Sequence, residues 1–260
     1  MASQIRTIHH LACTGGSVIS QCISAMPSVF LASEVHPHHV RYAFNPFDPL
    51  QQLLTESVFS HKKALREEIF LNRVKIMEIL CSKLGKVLVL RDHSHSDYFR
   101  TPSIYQPRME PSLLSALIGH FEIKSVLTIR NPIDSYISLN KNGWNWENLS
   151  IDQYSKRIIQ HFKQYLKRGI PFFKYEDFVE NPCSVIYDIC QELNIEYNER
   201  FLERYYYQRI TGNSGRGKRA QHIKPVSRRP ISDRLHNDMR VSSFLSQACD
   251  ELGYEFKIDN

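Results

Sequence analysis

The sequence has no apolar run long enough to cross a membrane. It enters an apolar segment within about five residues of its start, so no secretory leader is expected. Its six cysteines, at 13, 22, 81, 183, 190 and 249, never fall in CxxC or CxH spacing. Cys22, Cys81, Cys190 and Cys249 lie in apolar helical patterns, which predicts buried, reduced thiols and a cytoplasmic location. Seven of the twelve histidines group as His9-His10, His36-His38-His39 and His93-His95, with no Glu or Cys at ligand spacing, so no metal is expected. Internal repeats and low-complexity linkers are also missing. A chain of 260 residues, 42% of them hydrophobic, suits a single packed domain over 1–260.

Two segments more than a hundred residues apart carry the chemistry. In the first, Ile5, Ile8 and Leu11 supply an apolar strand and Cys13-Thr14-Gly15-Gly16-Ser17 a turn. Val18, Ile19, Cys22 and Ile23 then recur at helical spacing. The glycines allow close backbone approach to an anion, Thr14 and Ser17 add hydroxyls, and a helix start favours negative charge. No GK[ST] follows and the turn holds no lysine, so this is not a Walker motif. An ordinary strand–turn–helix connection reads the same way. In the second segment, Ser125–Ile129 form a buried-type strand with Arg130 at its end, where open α/β sheets bind ligands. Asn131 caps the next helix and Pro132 takes its first position. An Arg130–Asp134 scaffolding pair is the plainer reading.

Arg130, Asn131, Pro132, Asp134 and Ser138 resemble the second phosphate motif of the sulfotransferases that use 3′-phosphoadenosine 5′-phosphosulfate (PAPS), with its spacing intact. The resemblance implies that Arg130 and Ser138 hold a 3′-phosphate and that Cys13 to Val18 wrap the 5′-phosphosulfate. Cys13 departs from the family pattern, standing where it has a lysine or arginine. FFKYEDFVENP (172–182) is similar to the family's strand ending in Tyr-Glu-Asp, which implies Tyr175 near the adenine. KVLVLRDH (86–93) resembles the cytosolic members' strand, with Arg91 and His93 at its Lys and His positions. PSVFLASEVHP (27–37) resembles the stretch after the first helix in tyrosylprotein members, with Glu34 at the base position. TGNSGRGKRAQHIKPVSRRP (211–230) resembles a late nucleotide-covering loop, with Ser214 and Lys224 as contacts. The whole reads as a bacterial-type member that needs no metal.

Strand signals alternate with helix signals at 62–84, 112–120, 152–167, 183–193, 198–207 and 238–252. Ile69, Val74, Ile76, Leu80 and Leu84 mark one face of the first of these. This order implies an α/β fold, a three-layer parallel sheet flanked by helices. With the resemblance, it becomes the P-loop nucleotide-hydrolase-like sulfotransferase fold.

Residues 216–229 hold six basic side chains and no acid, which accounts for the whole formal charge of +6. A solvated loop or a nucleic-acid patch would read alike. No aromatics interleave, however, so no nucleic-acid partner is expected, and a lid over a bisphosphorylated nucleotide fits best. Sulfuryl transfer needs a base for the acceptor proton and positive groups at the leaving phosphate. The turn N–H groups, Thr14, Ser17 and Arg91 fill the second role, helped by Lys224. Glu34 and His93 compete for the first, with Glu34 preferred, and His10 is a third polar group beside the turn. Phe44, Phe47, Tyr98, Phe99, Tyr105, Trp144 and Trp146 would line a pocket for a small-molecule or glycan acceptor or simply pack loops. A non-catalytic bisphosphate-binding module and a P-loop-like small-molecule kinase are the alternatives. The kinase lacks a turn lysine and a recognisable magnesium carboxylate.

Overall fold

The computed structural model describes residues 3–38, 63–101, 106–211, 223–225, 227–228 and 230–258. Five strands form its sheet: β1 (Gln4–His10), β2 (Val29–Val35), β3 (Val87–Asp92), β4 (Glu122–Ile129) and β5 (Phe172–Lys174). Their order is β2-β3-β1-β4-β5, and every pairing is parallel. Parallel neighbours cannot be joined by hairpins, so helices fill the connections. These are α1 (Gly16–Ser24), α2 (Lys63–Lys83), α3 (His95–Tyr98), α4 (Ser112–Leu117), α5 (Pro132–Lys141) and α6 (Ile151–Leu166). After β5 come α7 (Tyr175–Glu180), α8 (Pro182–Glu192), α9 (Phe201–Arg204), a 3-10 turn at Tyr205–Tyr207, α10 (Asp233–Arg240) and α11 (Ser243–Glu251). From β1 the chain goes first to the edge strand β2, returns to place β3 between them, then crosses β1 to lay down β4 and β5 on its other side. The resulting switch point opens a crevice at the carboxyl ends of β1, β3 and β4.

The period-two alternation of the strands sorts the core onto both faces. Ile8, Val89 and Val126 face one way and pack with Ile19, Cys22 and Ile23 of α1 and Ile186 and Ile189 of α8. Ile5, Leu88 and Leu90 face the other way, against Val74 and Cys81 of α2 and Leu113 and Leu117 of α4. On that same side Leu127 and Ile129 meet α5, α6 and α11 through Ile133, Ile158, Phe162 and Leu245. Helix starts follow their caps. The Asn131 side chain accepts from Ile133 and Asp134 backbone N–H, and Ser150 and Gln153 form a capping box at α6.

α2 presents a different face from the one its apolar spacing suggests. Val74 and Cys81 are buried, with Phe70 and Met77 packed beside them, whereas Ile76, Leu80 and Leu84 are exposed. Two apolar stripes compete on this helix, and the one that meets β3 and α4 is the one buried. The long C-terminal helix expected at 238–252 is two helices, α10 and α11. They meet at Val241 and Ser242, where Ser242 caps the second.

Three buried histidines make the fold sensitive to acid. His95 and His161 are pushed down to about 3, chiefly by burial, and His10 lies well below its ordinary value for the same reason, with Arg91 adding to it. In the unfolded chain each titrates near ~6.5. Below that pH the unfolded chain binds more protons than the folded one, so stability is full above it and falls as pH drops. Each histidine contributes a slope of up to about 1.4 kcal/mol per pH unit. Denaturant unfolding at about pH 7.5, 6 and 5 should show midpoints falling progressively, and His95→Phe should flatten the dependence. Midpoints unchanged across this range would contradict the assignment.

Candidate nucleotide and transfer site

The turn after β1 is tight, and two rings press against it. Cys13 and Gly15 both hold left-handed backbone, at φ 67° and 83°. A Cβ on Gly15 would lie 2.0 Å from the Tyr175 ring, and one on Gly16 would lie 2.1 Å from the His10 ring. The glycines therefore let Tyr175 and His10 pack directly on the turn backbone. The Thr14 hydroxyl is buried and donates to the Leu11 carbonyl at 2.7 Å, so its proton is spent inside the turn. No side chain caps α1; the Val18 and Ile19 N–H groups reach the Gly15 carbonyl at 3.1 and 3.3 Å, while those of Gly16 and Ser17 keep no acceptor among the described residues.

Arg91 ends β3 beneath this turn with only 2% of its surface exposed. Its Nε donates to His10 Nε2 at 2.7 Å. Nη1 donates to Ser33 Oγ at 2.8 Å and to the Thr211 carbonyl at 2.9 Å, and Nη2 donates to Ser17 Oγ at 2.8 Å. Four of the five guanidinium N–H groups are thus used among the described residues, leaving one on Nη2 beside the start of α1. Burial pulls its pKa down to about 10 while Glu34 opposes the shift, so the group stays cationic at neutral pH. Thr211 also donates its hydroxyl to the Ser33 carbonyl at 2.7 Å, and Ser33 Oγ reaches the Thr211 carbonyl at 3.0 Å. This clasp joins the end of β2 to the chain that leads into the basic stretch.

Glu34 sits at an irregularity in β2, where the register to β3 shifts between Ser33 and Val35. Its φ of 58° marks the extra residue of a bulge. Plain alternation would send Glu34 to the Ala32 side of the sheet. With the bulge, Val35 takes that side with Ala32, and the Glu34 carboxylate comes to 3.8 Å from Arg91 Nη1. His93 follows β3, with Nδ1 2.6 Å from Ser96 Oγ. Burial lowers its pKa and Glu34 raises it, so the two base candidates share one neighbourhood.

The second half of the site gathers around Arg130, just past β4. Its Nη1 donates to the Cys13 carbonyl at 3.1 Å and to Ser138 Oγ at 3.4 Å, and its guanidinium lies 4.9 Å from the Tyr175 ring centre. Its buried Nε has no partner among the described residues. A cavity of about 10 Å³ lies behind it, lined in part by Thr14, Thr128 and His161. The plainer Arg130–Asp134 pair does not form; Asp134 binds Arg228 at 3.1 Å, and Arg228 also donates to the Lys257 carbonyl. Cys13 Sγ accepts from the Asn142 side chain at 3.3 Å.

The fold thus brings together the turn from Cys13 to Val18, Glu34, Arg91, Arg130, Ser138 and Tyr175, with His93 beside Glu34. Lys224 is exposed, with no contact drawn from the described residues, and Ser214 lies outside them. The strand expected to end in Tyr-Glu-Asp stops at Lys174, and Tyr175 is the first residue of α7. Tyr98 and Phe99 are buried core residues, Trp146 is 45% exposed beside His95, and Phe44, Phe47 and Tyr105 lie outside the described residues. Sequence reasoning missed Ser33 and Thr211, whose roles depend on a contact between residues far apart in the chain. Among the described residues no His, Cys, Asp and Glu cluster could hold a metal, and no helix is long and apolar enough to cross a membrane.

No protein-family model matches the sequence, and no curated protein matches it. The structure does match solved ones. A sulfotransferase domain from the curacin biosynthetic pathway superposes with a TM-score of 0.60 at 14% identity, covering 99% of each chain. The sulfotransferase domain of the Synechococcus PCC 7002 olefin synthase gives a TM-score of 0.59 at 15% identity, covering 98% of this chain and 96% of that one. Nearly the whole length of the chain therefore folds as the sulfotransferases do, a parallel five-stranded α/β sheet flanked by helices, and its architecture is the sulfotransferase fold.

Proposed function

We propose that the protein is a sulfotransferase that moves the sulfuryl group of PAPS to a hydroxyl or amine acceptor and releases adenosine 3′,5′-bisphosphate. The observation that carries this reading is the pair of arginines at the switch-point crevice. Arg91 lies against Ser17 at the start of α1, and Arg130 lies between the Cys13 carbonyl, Ser138 and Tyr175. Each keeps at least one guanidinium N–H uncommitted among the described residues, as a ligand with phosphates at two ends requires. The orphaned Arg130 Nε and the uncapped α1 start fit that ligand as well. We assign the 3′-phosphate to Arg130 and Ser138, the phosphosulfate to residues 13–18 with Arg91, and the adenine side to Tyr175.

In the transfer step the acceptor oxygen or nitrogen forms a bond to sulfur. The bond from sulfur to the bridging phosphate oxygen breaks, and its electron pair leaves with the bisphosphate. The acceptor proton goes to Glu34. A bulge that turns this carboxylate toward Arg91 supports Glu34 over His93, whose Nδ1 is already engaged by Ser96. Arg91 and the Gly16 and Ser17 N–H groups at the start of α1 take up the charge that develops on the leaving oxygen. Residues 211–230, with Ser214 and Lys224, are assigned to covering the nucleotide. The described parts of this stretch are tied to the elements that carry the site, Thr211 to Arg91 and Arg228 to Asp134 in the first turn of α5. The assignment treats 1–260 as one sulfotransferase-like domain acting on a small-molecule or glycan acceptor, and the six free thiols support a reduced, cytoplasmic setting. Incubation with labelled PAPS and a metabolite extract, followed by identification of the labelled product, tests the function and names the acceptor.

The Arg130 assignment predicts a strong preference for adenosine 3′,5′-bisphosphate over 5′-AMP. A charge-assisted contact contributes roughly 1.5–3 kcal/mol, so Arg130→Ala should remove about ten- to a hundred-fold of that preference in calorimetric titration. Equal affinities for the two nucleotides in the unaltered protein would overturn it.

The transfer roles predict losses in turnover rather than in nucleotide affinity. Arg91→Ala should lower kcat by about two to three orders of magnitude, the usual cost of losing a donor to developing charge. Glu34→Gln should lower it by a similar factor, roughly a hundredfold or more, and His93→Asn by less than about tenfold. A His93 variant as inactive as the Glu34 variant would move the base to His93.

A further inference from the structure

We infer that His10 is a positioning residue whose neutral imidazole accepts a hydrogen bond from Arg91 and fixes the plane in which that guanidinium meets the turn at Ser17. The kinetic consequence rests on the sulfotransferase reading; the hydrogen bond itself rests on geometry alone.

The partners determine the state of the ring. His10 Nδ1 lies 3.1 Å from the Leu11 carbonyl, which can only accept, so Nδ1 carries the proton. Nε2 lies 2.7 Å from Arg91 Nε, which can only donate, so Nε2 is bare and accepts. A second ring proton would face the arginine and cost the fold that bond. The groups around the ring agree. Burial and Arg91 of β3 disfavour its charge most, the Leu11 carbonyl and Asp92 favour it, and His93 just past β3 disfavours it, while α1 turns the neutral Ser17 toward Arg91. Glu34 of β2 acts on Arg91 itself.

The ring is also fixed in place. It is 7% exposed and lies so close to Gly16 that no Cβ could stand there. A guanidinium is planar, so tying Nε to a fixed ring leaves it one in-plane direction. Along that direction Nη1 reaches Ser33 and Thr211, and Nη2 reaches Ser17. Without the acceptor, a buried N–H is left unsatisfied and the group turns to find another partner. His10 makes its hydrogen bonds with Arg91 and the Leu11 carbonyl. It acts through Arg91.

Two measurements test this. Imidazole ¹⁵N NMR of the free protein should show His10 as the Nδ1–H tautomer, with no titration between about pH 8 and 5. An Nε2–H tautomer, or titration near ~6.5, would overturn the bond. In turnover with PAPS, His10→Leu should lower kcat about ten- to thirtyfold and shift KM for PAPS less than about threefold. His10→Gln, whose Oε1 can stand where Nε2 does, should recover most of the loss. In an Arg91→Lys background, which has no Nε–H, His10→Leu should cost less than about twofold. Equal losses in both backgrounds would mean that His10 only packs the turn. If His10→Leu does not fold, His10→Gln and the NMR measurement still decide. If the unaltered protein turns over no PAPS, the sulfotransferase reading fails while the NMR result stands.

Discussion

A buried arginine has to be hydrogen-bonded on nearly every side, because an unpaired ion inside a protein costs several kcal/mol. Arg91, 2% exposed at the end of β3, imposes that demand on its whole surroundings. Its partners come from β1, β2, α1 and the chain after the 3-10 turn, through His10, Ser33, Ser17 and Thr211. No two of these are neighbours in sequence, so satisfying one side chain draws four segments to the same point. The bulge in β2 belongs to the same requirement, since it lets Ser33 stay on the Arg91 side while Glu34 supplies the nearby negative charge. The positive φ at Glu34, strained for a side-chain-bearing residue, is sustained by this surrounding network.

The two dipeptides His9-His10 and Arg91-Asp92 sit on adjacent parallel strands, where Ile8 pairs with Arg91. Alternation turns one member of each dipeptide to each face. On the α1 face His10 meets Arg91, and on the α6 face His9 meets Asp92 at 2.8 Å, with Ser94 and Tyr165 also donating to that carboxylate. Hydrogen bonds from His9 and Ser94 and the nearby His9 and His36 hold Asp92 below its ordinary carboxylate range against its own burial. The sheet thus carries a polar pair above and below at its carboxyl edge, where an apolar core would otherwise close the crevice.

The legible part of the sequence was the local part. The turn at 13–18, the cap and proline at 131–132 and the strand before Arg130 could be read because each depends on residues close in the chain. What could not be read depends on register and packing. The buried face of α2 was ambiguous because Ile76, Leu80 and Leu84 make as good a stripe as Val74 and Cys81, and only the strands beneath decide. The break at Val241 and Ser242 lay inside a continuous helical pattern. The Ser33–Thr211 clasp joins positions far apart in the chain, and nothing local to either announces it. His10 was visible as a polar residue near the turn, but its use as an acceptor follows only from knowing that β3 lies beside β1.

Position 13 is where this chain departs most from the motif it resembles, and the surrounding geometry accounts for how it does without a cation there. Cys13 takes left-handed backbone, its carbonyl turns to Arg130 and its thiol receives the Asn142 amide. The residue is therefore tied to the half of the site around Arg130 and offers no charge to the start of α1. That end receives its charge from below instead. Arg91 rises from β3 between His10 and Ser33 and reaches Ser17 with Nη2. A lysine in the turn would be a flexible, hydrated point charge, whereas a guanidinium held on three sides is already oriented. On the proposed reading, fixed direction takes the place of proximity along the chain. A group that must stabilise charge appearing at one atom benefits more from being held still beforehand than from belonging to the turn itself.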